Sequence, residues 1–204
     1  METHEKLKTI KRSFRLYMNG VTAASLRKKG ANYKIIWGVS QPDLRRMASE
    51  YGKDRQLAEA LWKEDIRECK LLATLVMSAD QMEINEAKEW METAASVELV
   101  EFLVFNLFQY VACAEDLTCL MLESDSEMEH LAAYNLACRM LKKRVELNDE
   151  TYRLLFGKCV DDLATTDRQL LHALVNCLQY MASLKTEKSK IANNILKEGG
   201  FDAF

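Results

Sequence analysis

Apolar positions recur at helical spacing along nearly the whole chain. The 3.6-residue period predicts helices near residues 3–18, 21–29, 41–52, 54–63, 65–78, 85–95, 97–112, 115–123, 126–143, 149–164, 167–182 and 185–197. Plausible caps precede several of them: Asp54, Asn85, Ser96, Ser126, Asn148 and Thr166. Connections are short, apart from 30–40. That long connection ends in "VSQPDL", which holds Pro42, the only proline. Ser40 followed by Asp43 reads as a capping box, with Pro42 in a first turn whose N–H groups have no intrahelical partner. Gly52 then stops the helix.

From residue 54 onward the helices fall into pairs: 54–78, 85–112, 115–143 and 149–182. No strict repeat motif is visible, and loose pairs of this kind are the pattern of a degenerate HEAT-like array. The second helix of each pair is the more apolar, as expected of the inner layer of a solenoid. The expected fold is all-α: an α-solenoid, or superhelix, of HEAT-like antiparallel helix pairs, with residues 1–204 forming one repeat domain. A compact helical bundle is the alternative.

Composition narrows this picture. Among 204 residues 49% are apolar, enough for a core, while one proline and seven glycines leave few hairpin turns. The six cysteines at 69, 113, 119, 138, 159 and 177 show no CxxC spacing, and most sit in apolar helical patterns. Buried reduced thiols in a cytoplasmic protein are expected, rather than disulfides or a metal site. The N-terminal stretch is polar and charged, unlike a signal peptide, and no apolar run suits a membrane span.

Net charge is −3, but it is unevenly spread. Residues 1–46 hold eleven basic and three acidic side chains, net +8, and the remainder is net −11. Such asymmetry marks either a polyanion-facing end or a set of solvated helix faces. No Gly-rich phosphate loop, dinucleotide fingerprint or HExxH is present, so no nucleotide or metal cofactor is expected.

"GVSQPDLRRMASEYGKDRQLAEALWKEDIRECKLLATLVM", Gly38 to Met77, resembles the AlkD-type DNA alkylation repair family. It carries a G-V-x-x-P-x-L-R-x-x-A start, an L-A-x-x-L-W helix and an E-x-R-x-x-A-like helix; "AKEWMETAASVELVE" resembles a further family segment. The resemblance implies HEAT-like repeats with a concave, positively charged groove for duplex DNA. It also implies, in active members, metal-free and cofactor-free excision of alkylated purines. That reaction builds positive charge on the sugar, so a nearby carboxylate assists it.

The resemblance places the family's aromatic slot at Val97, its acid slot at Glu101 with Glu98 beside it, and its arginine slot at Leu131. A later family segment falls near Asn176 and Gln179. Only the acid is matched, and Arg139 lies too far along its helix to replace the arginine. On helix 97–112, Glu98, Glu101, Asn106 and Gln109 fall on one stripe about 140° wide. That stripe reads either as solvent-facing or as a groove surface with Glu98 and Glu101 facing a lesion. Lys28, Lys29, Lys34, Trp37, Arg45 and Arg46 are the candidate DNA-binding residues, Trp37 because it sits in the one long, basic-flanked loop. His172 is expected near the core, and the tryptophans chiefly as staples between helices.

Two functions follow: a DNA N-glycosylase for alkylated purines, or a non-catalytic HEAT-like scaffold that binds DNA or a protein partner.

Overall fold

The computed structural model describes residues 2–201 and is helical almost throughout. Its helices are α1 (Thr3–Ser13), α2 (Gly20–Lys28), α3 (Gln41–Tyr51), α4 (Arg55–Trp62), α5 (Arg67–Val76), α6 (Ile84–Glu92), α7 (Val97–Asn106), α8 (Ala114–Leu122), α9 (Glu127–Lys142), α10 (Asp149–Asp162), α11 (Arg168–Ser183) and α12 (Glu187–Glu198). All twelve coincide with helices predicted from periodicity. Caps account for many of the starts. Asp54, Ser96, Ser126 and Asn148 each accept the N–H three residues on. At α3 the Asp43 N–H donates to Ser40 Oγ at 3.3 Å, and that hydroxyl donates to the Asp43 carboxylate at 2.6 Å. Pro42 sits in the first turn.

The differences have local causes. α1 tightens into a 3-10 turn at Phe14–Leu16 and does not reach residue 18. Asn19 then caps α2, its side chain taking the Thr22 N–H at 3.0 Å. α6 begins at Ile84, so Asn85 lies inside the helix instead of capping it. Asp167, not Thr166, caps α11, accepting the N–H groups of Gln169 and Leu170. α7 stops at Asn106, where Leu107 leaves helical geometry (φ −133°, ψ −66°), and a 3-10 turn follows over Phe108–Tyr110. The break turns Leu107, Phe108 and Gln109 all inward, which removes Gln109 from the expected polar stripe.

The chain divides into two compact units. The first contains residues up to Met82 together with Thr93–Val111. In it α4 and α5 form a pair, α1 lies on α4, and α3 and α7 pack on α5. Its core holds Ile10, Phe14, Leu44, Leu57, Leu61, Leu71, Leu72, Leu99 and Leu103, all fully buried. The second contains Glu83–Glu92 and the chain from Ala112 onward. There α6, α8, α10 and α12 pack in succession, and α9 and α11 form a second layer beside them.

Two expected pairs, α4–α5 and α8–α9, are therefore present. The pair over 85–112 is not: α6 packs on α8 in the second unit, and α7 on α5 in the first. The last pair is rearranged as well. α11 buries Leu170, Leu174, Cys177 and Leu178 chiefly against α9 and α12, while α10 lies mainly on α8 and α12.

The six cysteines are free thiols, four of them buried. His172 is exposed beside Asn176, contrary to its expected near-core place, because α11 turns its other side to α9 and α12. Among the described residues no helix is long and apolar enough to cross a membrane.

Candidate nucleic-acid interface

The 30–40 connection is a long irregular stretch of the first unit, and an ion cluster takes part of its backbone. Irregular backbone can be buried only if its N–H and C=O groups find partners. Here Ile35 makes a parallel bridge to Ile66: its N–H donates to the Asp65 carbonyl and its carbonyl accepts the Arg67 N–H. The N–H groups of Trp37 and Gly38 both donate to the Glu68 carboxylate, at 3.0 and 2.9 Å. Glu68 is fully buried.

A buried carboxylate needs a counter-charge, and Arg67, 4% exposed, supplies it. Its Nη1 donates to Glu68 at 2.8 Å and to the Val39 carbonyl at 3.4 Å. The rest of the guanidinium forms a two-bond fork to Glu98: Nε to Oε2 at 2.7 Å and Nη2 to Oε1 at 2.5 Å. Burial opposes the charge on Arg67, but Glu98 and then Glu68 outweigh it and hold its pKa above the ordinary value. Tyr33 completes the clasp, its hydroxyl 2.9 Å from Ser96 Oγ, the cap of α7. Burial pushes the Tyr33 phenol up, and the Ser96 bond opposes it. Gly38 sits at φ +75°, where a Cβ would lie 2.3 Å from the Asn19 carbonyl oxygen. The loop is thereby fastened to the starts of α2, α5 and α7.

This geometry places the carboxylate candidates. Glu98 is half-buried, with both oxygens engaged by Arg67. Glu101 lies one turn on along α7 and is exposed. Asn106 does not extend an outward stripe; it donates to Thr74 Oγ1 at 3.2 Å and accepts from Arg45 at 3.4 Å. At the family slots, Val97 opens α7, Leu131 is buried in α9, and Asn176 is exposed beside His172.

The basic candidates lie on the first unit but not all in one setting. Lys28, Lys29 and Lys34 are exposed around the end of α2 and the loop after it. Arg45 and Arg46 are exposed on α3. Arg46 pairs with Asp43 at 2.7 Å and lies over the Tyr17 ring at 4.9 Å. Trp37 is half-buried, its indole Nε1 has no hydrogen-bond partner, and Arg15 lies 5.7 Å over its ring. Trp62 is the staple expected of it, donating to Thr93 Oγ1 at 3.2 Å beneath Lys70.

Sequence reasoning missed two features. The Arg67–Glu68 pair was visible as adjacent opposite charges opening an apolar helix. The basic face of α1, with Lys8, Lys11 and Arg12, was visible as cations at helical spacing but was counted only in the net charge.

Helix pairs of this kind define a class, and a solved structure bears the fold out. A protein described as belonging to "a new family of proteins related to the HEAT-like repeat DNA glycosylases with affinity for branched DNA structures" superposes with a TM-score of 0.81. It is 17% identical, and the match covers 95% of this chain and 83% of that one. The fold is thus a HEAT-like helical repeat. The sequence profile described as "DNA alkylation repair enzyme" matches residues 10–190, and the chain belongs to that family. No curated protein matches it.

Proposed function

We propose that this chain is a DNA-binding member of the family that holds duplex DNA without excising alkylated bases. The observation that carries this reading is the state of Glu98. An excision transition state needs an anion free to face a cationic sugar. Both Glu98 oxygens are instead spent on the Arg67 fork, at 2.7 and 2.5 Å. The carboxylate is held in an ion pair, and its task is to hold α7 to α5 and the loop. Glu101 stands at the family's acid slot. Val97 offers no aromatic face beside it, and Leu131 is a buried aliphatic where the family has an arginine.

The binding half of the reading rests on charge. The first unit has sixteen basic and twelve acidic side chains. Lys28, Lys29, Lys34, Arg45 and Arg46 stand exposed on it. Such groups neutralise phosphates and release counterions. The similar solved protein's stated affinity for branched DNA supports the same class of ligand.

The test has two arms. A time course of base release from methylated duplex DNA should show no release above background for the parent, Glu98→Gln or Glu101→Gln. Robust release by the parent that disappears in Glu101→Gln establishes a glycosylase and overturns the proposal. In the second arm, reversing Lys28, Lys29, Arg45 and Arg46 should weaken duplex binding and flatten its salt slope by up to about 0.9 per lost phosphate contact. Binding indifferent to those reversals rejects the surface.

A further inference from the structure

α1 has two chemically different sides. One packs: Ile10 is fully buried, Lys6 pairs with Asp54 at 2.5 Å, and Thr3 reaches Gln56. The other is a stripe of cations. His4, Lys8, Lys11 and Arg12 fall within an arc about 100° wide on a helical projection, and Arg15 continues it from the following 3-10 turn. With Leu7 and Glu64 they line a concavity of about 420 Å³. Four of its seven lining residues are Lys or Arg, and Glu64 is the one acid there.

Partners are unevenly distributed on this stripe. Lys11 is paired with Glu64 at 2.8 Å. Lys8 and Arg12 have no acidic partner among the described residues, and Arg15 rests only on the Trp37 ring. Exposed cations normally find nearby acids at helical spacing. This helix places its acids, Glu2 and Glu5, at its start; Glu5 stands three residues before Lys8 without forming an ion pair with it, and no acid lies three or four residues from Arg12. Favourable contact with the negative end of the helix dipole would account for Arg12, but not for Lys8 at mid-helix. Concave shape and a surplus of positive charge together concentrate an anionic ligand.

The stripe lies on a different helix from the exposed cations Arg45 and Arg46, and it reaches the 30–40 loop where Arg15 covers Trp37. α1 lies on α4, whereas α3 and α7, which carry Arg45, Arg46 and the carboxylates, pack on α5. Lys8 and Arg12 are about 6 Å apart along the axis, at 1.5 Å per residue, and Arg15 follows three residues on. A duplex strand presents a phosphate about every 3.4 Å of its axis. A strand running along α1 can therefore meet Lys8, Arg12 and Arg15 in turn.

We propose that the α1 stripe of Lys8, Lys11, Arg12 and Arg15 is a second sugar–phosphate binding site that takes a second DNA segment, such as another arm of a branched molecule. The site extends the DNA-binding reading and depends on it. Binding is by phosphate contact, so it is independent of base sequence and sensitive to salt.

The experiment measures binding of the full chain to a four-way junction and to a linear duplex of the same arm sequence, by fluorescence anisotropy at several salt concentrations. Lys8→Glu with Arg12→Glu should lower junction affinity about tenfold and reduce its salt slope by about 1.8, at 0.9 per contact. Duplex affinity should stay within about twofold of the parent. The milder Lys8→Ala with Arg12→Ala should move in the same direction by less, and unchanged melting of both variants excludes misfolding. Junction affinity that does not change overturns the site. Equal weakening on both ligands also overturns it, since α1 would then belong to a single duplex surface. A parent that binds neither ligand removes the DNA-binding reading itself. A parent that binds duplex and loses that binding only on reversal of Arg45 and Arg46 leaves that reading standing without this one.

Discussion

The first unit carries sixteen basic and twelve acidic side chains, net +4; the second carries twelve and nineteen, net −7. The units also bury polarity differently. The first buries a full ion cluster, Arg67 with Glu68 and Glu98, and uses it to satisfy the backbone of an irregular loop. The second buries a quieter group. Tyr134 donates to Asp162 at 2.6 Å, and His130 lies 3.0 Å from the same carboxylate and 2.7 Å from the Ser124 carbonyl. Those side chains join helices whose own hydrogen bonds are already made. Ionic burial is therefore concentrated where the chain departs from regular structure, and that departure lies on the unit with the surplus of positive charge.

The largest effect should come from breaking the cluster. Arg67→Ala leaves Glu68 buried with two backbone N–H donors and no counter-charge. Losing one partner of a buried pair costs about 3–5 kcal/mol. Urea unfolding should register a loss of that size, and hydrogen exchange should accelerate first at the Trp37 and Gly38 amides. A loss below about 1 kcal/mol, with those amides still protected, would mean that the cluster does not hold the loop.

The next test compares the same substitution in both units. Gly38→Ala forces a Cβ against the Asn19 carbonyl at φ +75° and should cost about 1–3 kcal/mol. Gly157→Ala, in α10 with no atom within 4 Å of the new Cβ, should stabilise by about 0.5–1 kcal/mol through helix propensity. Opposite shifts of the melting midpoint are expected. Shifts of the same sign would show that the loop can move away from α2.

Much of this fold was legible in the sequence because its helices are amphipathic and capped. The 3.6-residue period located all twelve, and Ser40, Asp54, Ser96, Ser126 and Asn148 marked starts through bonds that reach only three residues. Packing partners were less legible. Nothing in the local pattern says that α6 should leave α7 and join α8. The candidate site was the least legible part. Glu98 was singled out as a carboxylate, but its state depends on Arg67, thirty-one residues away, and a spacing rule cannot see that contact. The end of α7 was hidden for a similar reason: Leu107 and Phe108 suit a helix by propensity, and tertiary burial breaks it there.

A smaller effect is expected from the second unit's polar group. Tyr134→Phe deletes one hydrogen bond to Asp162, which retains His130 at 3.0 Å. The loss should be about 1 kcal/mol, well below that of Arg67→Ala. Comparable losses in the two denaturation curves would erase the distinction between the units.

The smallest effect belongs to Asp54, which serves two functions in the first unit. It caps α4 by taking the Leu57 N–H at 3.0 Å, and it pairs with Lys6 of α1 at 2.5 Å. Asp54→Asn keeps the cap, because asparagine caps about as well as aspartate. It removes only the ion pair, so the loss at neutral pH should be about 0.5–1 kcal/mol or less. Its pH dependence is the diagnostic. The Lys6 hydrogen bond, helped by the Leu57 N–H and opposed by burial, holds the Asp54 carboxyl below its ordinary value. A carboxyl depressed in the folded state binds its proton more weakly there than in the unfolded chain. Its stabilising contribution is therefore complete above the unfolded pKa, near 4. It is lost as pH falls through the lower folded pKa. The stability gap between parent and Asp54→Asn should be constant from pH 7 to about 5 and close below about 4. A gap that widens with acid would mean that the carboxyl is raised on folding and not depressed, and a gap absent at every pH would show that Lys6 does not tie α1 to α4.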